Sequence, residues 1–327
     1  MKTERSFLQY GLAASACLGC LLALFGWIVS DAWDGWMRGY TAAALLLLLL
    51  VLAVVLHAAY CRKRGMGSPL LRLCELCGRY AFLMEQLVKR DFNTKYRHSL
   101  LGVFWSFLNP LLTMGVQYVI FSAVFHSGIP NFAVYLLDGI ILFNFFSECV
   151  SLGLDSILVN GHLMTKVAMP RSIYPLSRSL SSLINLLISL VPLLLIMLLT
   201  GMRFTRAVLL LPLALLFVYL FALGMSLAAC TMNVFFRDTK FLWGVLSLLW
   251  TYATPIFYPE TIIPEAFRGL YHCNPMYQFI TFLRSITLYG TAPAPSSFAA
   301  CAVCSLLPLL IGALIFRHYK DRFVFYL

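Results

Sequence analysis

Charge is scarce in this chain of 327 residues: Asp and Glu number 13, and charged residues of both signs together make up only 11%. A soluble domain carries about 25% charged residues, and it could not hide from water the 61% of this chain that is hydrophobic. The same composition excludes a disordered regulator. No Gly-Lys pair occurs anywhere. The glycine-rich loop ending in Gly-Lys-Ser/Thr that cradles nucleotide phosphates is therefore missing, and the chain should not hydrolyse ATP through such a loop of its own. Ten cysteines include three Cys-x-x-Cys pairs, Cys17 with Cys20, Cys74 with Cys77 and Cys301 with Cys304. None has neighbouring histidines or the doubled spacing of a four-ligand zinc site, so they read as small packing residues and no metal is expected. Only Cys273 clearly falls in an outer loop, so no disulfide framework can be argued.

What the chain has in abundance is apolar length. Mean hydropathy is +0.86. Crossing a hydrocarbon layer of about 30 Å takes roughly 20 helical residues. Eight runs meet that requirement, near 7–29, 40–60, 104–125, 133–157, 176–200, 207–232, 241–258 and 298–316. The expected fold is all-α and polytopic. The first run follows Lys2 and Arg5 as a signal peptide would, but it is longer than an h-region. A second run follows it after a short loop holding Asp31 and Asp34, so the two form a transmembrane hairpin.

The basic residues orient these spans. With the N-terminus on the cytosolic side, only Arg38, Arg203, Arg206, Arg268 and Arg284 of the 24 Lys and Arg fall outside, and every lysine falls inside. The formal charge of +11 thus reflects membrane orientation and not a nucleic-acid partner. Met276 to Tyr289 is apolar but too short to span. Counting it as a crossing would put Arg317, Lys320 and Arg322 outside, so it reads as an outer re-entrant segment.

The one long polar stretch runs from Cys61 to about Leu101. After the breakers Gly65, Gly67 and Pro69, the residues Leu73, Leu76, Cys77, Tyr80, Met84, Leu87 and Val88 recur at helical spacing, with the charges mostly on other faces. This is an interfacial amphipathic helix, suited to lipid headgroups or to a cytosolic partner. The chain accordingly divides into an N-terminal hairpin (1–60), a linker and amphipathic helix (61–103), a membrane domain (104–320) and a cytosolic tail (321–327).

Three acids, Asp138, Glu148 and Asp155, fall in the fourth run, where a charge costs roughly 2.5–3.5 kcal/mol on insertion scales. Either Asp138 and Asp155 sit at the two headgroup zones, or the acids line an aqueous path or pair with a basic residue such as Arg178. Aromatic residues Phe143, Phe146, Trp250, Tyr252, Phe257, Tyr258 and Tyr277, joined by Glu148, are candidates to line a translocation path. There, flat rings with polar edges suit sugar faces, and the alternative for the rings is an interfacial belt.

Ordered motifs then carry a resemblance. They are Leu87-Val88-Lys89-Arg90-Asp91-Phe92 with Lys95-Tyr96-Arg97, Ser99 through Pro110, Met164 through Arg171 with Tyr174-Pro175-Leu176-Ser177, Phe235 through Lys240, Pro255 through Pro259, and Asn274-Pro275-Met276. Over about residues 87 to 320 the chain resembles the membrane subunit of type-2 ABC exporters, and among these the permeases for O-antigen, capsular polysaccharide and teichoic acid.

The resemblance implies a six-span core with an inner gate helix and an outer re-entrant segment. It also implies a second copy of the chain and a separate pair of ATPase subunits that bind ATP and Mg, so that this chain needs no cofactor. On that analogy Lys166, Pro170 and Arg171 form the coupling element to the ATPase. Arg90, Lys95 and Arg97 would attract the diphosphate of a lipid-linked polysaccharide at the gate. The setting is the bacterial cytoplasmic membrane with both termini inside, in contact with membrane lipids. The hairpin over 7–60 departs from the six-span core. Two other readings remain open: an exporter of a drug, haem or lipid, and a membrane-embedded transferase of saccharide or acyl groups using Glu148 or Asp155 as a base.

Overall fold

The computed structural model describes residues 69–326 other than 98, 126–128, 167, 168, 203 and 263. The hairpin expected over 7–60, the Cys17 and Cys20 pair and the linker from Cys61 lie outside the described residues. The chain divides into two compact units, Met1–Ala81 and Phe82–Leu327. The first is described only at the start of helix α1 (Pro69–Tyr96), and the elements that build the site belong to the second.

Among the described residues every regular element is helical. After α1 come α2 (Phe104–Phe125), α3 (Phe132–Val159), the short α4 (Gly161–Lys166) and α5 (Ile173–Leu199). A 3-10 turn (Arg206–Leu210) leads into α6 (Leu211–Phe235), which is followed by α7 (Thr239–Ala253), α8 (Glu265–His272), α9 (Pro275–Thr287) and α10 (Pro295–Tyr319). A closing 3-10 helix covers Lys320–Phe325. The helix expected from about Leu70 is thus present as α1, with Pro69 at its first position, where the missing N–H is not needed.

Helix α3 is the centre of the unit. A helix apolar on nearly every face must be surrounded, and most of its side chains from Phe132 to Ile157 are buried. Helices α5 and α6 flank it most closely, and α2 and α9 add to the enclosure. Small residues set the approach. A Cβ on Gly153 would collide with Ser226 of α6, one on Gly224 with the backbone of Pro308 and Leu309 in α10, and one on Gly312 with the carbonyl of Gly224. Lipid tails do not drive helices together as water does, so such backbone contact supplies much of the association.

Five helical stretches are long and apolar enough to cross a membrane: Phe104–Ser122, Phe132–Val159, Ile173–Leu199, Arg206–Phe235 and Pro295–Phe323. They coincide with five of the expected runs. The run expected over 241–258 differs. Helix α7 has 15 residues, about 22 Å at 1.5 Å per residue, which falls short of a layer of about 30 Å. Its end has a local cause: Thr254 precedes Pro255, whose ring disfavours helical backbone before it, and Thr254 is extended at φ −105°, ψ 134°. The chain then forms a non-helical elbow before the next short helix. Helix α9 has 13 residues and is likewise too short to cross. It begins sharply because the Asn274 side chain accepts from the Met276 N–H at 3.1 Å with Pro275 at the first position. Its Phe279, Ile280, Phe282 and Leu283 are buried, and it packs against α3, α6 and α10.

Candidate functional site

One face of α3 breaks the apolar pattern. Asn144, Ser147 or Glu148, Ser151 and Asp155 recur at steps of three and four, so at 3.6 residues per turn the five occupy roughly 100° of arc over about 16 Å of helix. None of the five is buried. On the opposite face Phe146, Cys149, Val150 and Ile157 are sealed at 0% exposure.

Helix α7 lies along one side of this polar face. Lys240 Nζ is 2.5 Å from Asp155 Oδ2, the Trp243 indole N–H donates to Ser151 Oγ at 3.0 Å, and the Ser147 and Ser247 hydroxyls are 2.8 Å apart. Lys240, Trp243 and Ser247 stand at i, i+3 and i+7, so one face of α7 meets one face of α3 rung by rung. Nothing in α7 is buried. This polar ladder, with edge contacts of Phe146 to the Trp243 and Trp250 rings, ties α7 to α3. At the end of α7 the Trp250 indole donates to Asn274 Oδ1 at 2.9 Å, and the Asn274 amide donates to Thr254 Oγ1 at 3.0 Å.

On the other side, Glu148 takes Lys95 of α1 as its partner. Lys95 Nζ is 2.6 Å from Glu148 Oε1, and the Asn185 amide of α5 donates to the same oxygen at 2.9 Å. The Tyr96 hydroxyl donates to Asn185 Oδ1 at 3.0 Å and is also hydrogen-bonded to the Ser106 hydroxyl. These residues, with Trp105, Asn109 and Asn144, line a cavity of about 300 Å³.

The basic residues near the α1 and α4 ends are similarly engaged. Arg90 Nη2 donates to Asp91 Oδ1 at 3.0 Å and to Asn160 Oδ1 at 3.1 Å. Arg178, which the spacing offered as a partner for the α3 acids, instead faces Asp91 at 3.2 Å, an ion pair without hydrogen-bond alignment. The partner of Glu148 comes from α1 because that helix, not the start of α5, brings a cation to its depth. Arg171 Nη1 donates to the Lys320 carbonyl at 2.6 Å and to Asp321 Oδ1 at 3.0 Å, tying the segment after α4 to the C-terminal 3-10 helix. Pro170 opens the turn into α5, its carbonyl accepting from the Ile173 N–H at 3.1 Å. Lys166 is the last residue of α4, and Arg97 is exposed.

The start of α3 is arranged differently. Asp138 is fully buried within the bundle and accepts from the Thr287 hydroxyl at 2.6 Å, so it faces neighbouring helices and not lipid. Arg284, 6% exposed, donates to the carbonyls of Pro255 at 2.9 Å and of Tyr135 and Ile256 at 3.2 Å each, with its guanidinium 3.3 Å from the Tyr135 ring centroid. The Tyr135 hydroxyl donates to the Tyr258 carbonyl at 2.7 Å. Burial of Asp138 and Arg284 follows from α9 folding against α3, which the count of basic residues by loop did not foresee.

The aromatic candidates separate by burial. Phe143, Phe146, Phe257 and Tyr277 are buried: on α3 Phe146 points away from the polar face and Phe143 borders it, and on α9 the Tyr277 hydroxyl donates to Glu260. Trp250 and Tyr258 are half-buried, and Tyr252 is 61% exposed. The sequence marks Glu148 and Asp155 on the polar face of α3 but not Asn144, Ser147, Ser151, Lys240 or Trp243 as their neighbours. The signal for Asn144, Ser147 and Ser151 was present as a second periodicity, polar residues at helical spacing inside an apolar run.

Comparison with known proteins agrees with this architecture. Residues 83–288 match the profile of the ABC-2 type transporter family. Over 260 residues, 78% of this chain and 98% of the relative, the chain is 33% identical to the O-antigen export system permease protein RfbA of Myxococcus xanthus. It is 29% identical over 242 residues, 74% of this chain and 93% of the relative, to the protein of the same name from Klebsiella pneumoniae. To the polysialic acid transport protein KpsM of Escherichia coli it is 24% identical over 245 residues, 73% of this chain and 93% of the relative.

Proposed function

The chain belongs to the ABC-2 type transporter family, and from that footing we propose that it is the permease of an ATP-driven exporter carrying a lipid-linked polysaccharide, of O-antigen, capsule or teichoic acid type, across the bacterial cytoplasmic membrane. The relatives' names supply the substrate class. One structural observation carries the transport role: the central helix of a membrane-embedded bundle keeps a continuous polar face from Asn144 to Asp155. Polar groups at such depth face a bundle interior or an aqueous space and not lipid.

In this reading eight crossings leave both termini in the cytosol, with α7 and the elbow after it together making the seventh crossing and α9 as a re-entrant segment on the outer side. The apolar exposed faces of α2, through Val116 and Val119, and of α7, through Val245 and Leu249, suit contact with a second copy or with lipid. A separate pair of ATPase subunits holds ATP and Mg. They dock at α4 and the turn after it, where Lys166, Pro170 and Arg171 form the coupling element and Asp321 braces Arg171. Closure of the ATPases would move this element and the neighbouring end of α1. Arg90 and Arg97 are then the cations offered to a carrier-lipid diphosphate. A transferase role is less well supported, since the ammonium groups of Lys95 and Lys240 engage the two acids that would serve as base.

The test is reconstitution of the chain with its ATPase in vesicles and measurement of ATP-dependent glycan movement. Wild type should export, and Arg171→Glu should uncouple ATP hydrolysis from export. Nucleotide hydrolysis by this chain alone, or normal surface polysaccharide in cells lacking it, would sink the reading.

A further inference from the structure

We propose that the cavity between α1, α2, α3 and α5 is a binding site for an uncharged sugar unit of the exported chain, a role that rests on the exporter reading and places one contact of the polymer inside a single protomer. The cavity lies between the inner end and the middle of the bundle. Asn144 is twelve residues into α3 and Asn185 twelve residues into α5, about 18 Å along each helix, while Trp105 and Ser106 lie in the first turn of α2. Its volume of about 300 Å³ is at the small end of the range of roughly 300–1,000 Å³ for ligand clefts, enough for a short saccharide stretch.

Charge selects the ligand class. Lys95 and Glu148 are the charged groups of the lining, and they are bound to each other at 2.6 Å. A diphosphate would find no net attraction here and would meet a carboxylate. Uncharged hydroxyls find the opposite. Asn109 and Asn144 each offer an amide donor and a carbonyl acceptor, Asn185 keeps a second amide hydrogen beyond its bond to Glu148, and the Ser106, Ser189 and Tyr96 oxygens, bonded within the bundle, can still accept. The two donors to Glu148 converge on Oε1, and among the described residues no bond is made to its other oxygen, which can accept from a sugar hydroxyl. Trp105, 44% exposed, supplies a flat face at the rim for the apolar side of a sugar ring. Lys95 thereby changes role: it aligns Glu148 for sugar and does not receive the carrier phosphate.

The experiment uses the cell's own glycan as probe. A photoreactive p-benzoylphenylalanine is placed at Asn144 or Asn109, and at Leu187 of α5, which is exposed and outside the cavity. After irradiation of polysaccharide-producing cells, the two cavity positions should yield permease carrying periodate-reactive glycan, and Leu187 should not. A chain inserted at normal level that gives no glycan adduct from the cavity, an equal adduct at Leu187, or an adduct containing carrier lipid without sugar would each overturn the proposal. Should the bulky probe prevent insertion, Asn144→Leu and Asn109→Leu serve instead. Export should fall several-fold with the amount of chain in the membrane unchanged, and wild-type export would overturn the assignment. Loss of the gene without loss of surface polysaccharide would instead strike the exporter reading itself, so the two failures are distinct.

Discussion

The hydroxyl of Ser147 on α3 lies 2.8 Å from that of Ser247 on α7, although the residues are one hundred positions apart in the chain. This contact is the middle of a three-rung ladder completed by Asp155 with Lys240 and Ser151 with Trp243. The rungs are individually weak. Interhelical hydrogen bonds in membranes average about 0.6 kcal/mol each, so the three together add roughly 2 kcal/mol to the Phe146 ring contacts and the Trp250 bond to Asn274. If α7 parts from α3 during a transport cycle, these are the contacts it breaks.

A covalent rung tests this. Ser147→Cys combined with Ser247→Cys should form a disulfide under mild oxidation, since the two side-chain oxygens already touch and bridged Cβ atoms need only be about 3.5–4.5 Å apart. Glycan export should stop on oxidation and return with reductant. Full export with the bridge demonstrably formed would mean that α7 and α3 move as one body.

The Lys95 and Glu148 pair lends itself to a double-mutant cycle. Lys95→Met leaves a carboxylate without its cation in a largely apolar bundle, whereas Glu148→Gln leaves the Asn185 contact in place and puts no uncompensated acid at that depth. The expected order in thermal unfolding of detergent-solubilised chain is wild type, then Glu148→Gln, then Lys95→Met, with the double variant more stable than Lys95→Met alone. Coupling of about 1 kcal/mol is anticipated. Strict additivity would show that the pair contributes nothing in solution.

Arg284 should be far less tolerant. It satisfies carbonyls from α3 and from the elbow after α7 while buried from both sides. Arg284→Met removes a donor from three carbonyls, of which Pro255 alone keeps a second side-chain donor in the Tyr135 hydroxyl at 3.3 Å, and Arg284→Lys cannot span them because a single ammonium lacks the planar fork. A loss of roughly 3–5 kcal/mol is expected for the methionine variant, read as a fall in membrane-inserted chain and in melting temperature. Near-normal stability of Arg284→Lys would refute the clamp.

Gly224 and Gly312 sit where α6 and α10 touch backbone to backbone. Even Gly312→Ala places a methyl group against the Gly224 carbonyl, so the helices must separate. A cost of about 1–3 kcal/mol is expected, rising for Gly312→Val. Gly244, inside α7 where an added Cβ meets nothing within 4 Å, is the control, and Gly244→Ala should hold or raise the melting temperature, since alanine is favoured over glycine in a helix interior.

The elements that were legible in advance share a property. Five of the apolar runs, the helix beginning near Pro69 and the shortness of the 276–289 segment each depend on neighbouring residues in one stretch. So does the helix break before Pro255, although the run over 241–258 was read through it. The polar face of α3 was equally local, but apolar spacing and charge show only its acids, Glu148 and Asp155, and not the uncharged Asn144, Ser147 and Ser151 superimposed at helical spacing. What could not be read were the partners: Lys95 for Glu148, Thr287 for Asp138, the Tyr135, Pro255 and Ile256 carbonyls for Arg284, and the C-terminal Asp321 for Arg171.

Hydropathy and spacing are sums over adjacent residues, and the transfer free energy of a helix into lipid is close to such a sum. For that reason the membrane setting, the helical class and the family motifs were already present in the order of amino acids. The identity of the group that meets a buried acid or arginine is not a sum of that kind. It depends on which helices lie side by side and how each is rotated about its axis, and residues as far as 150 positions apart settle it only once α9 has packed on α3 and the C-terminal turn has reached back to Arg171.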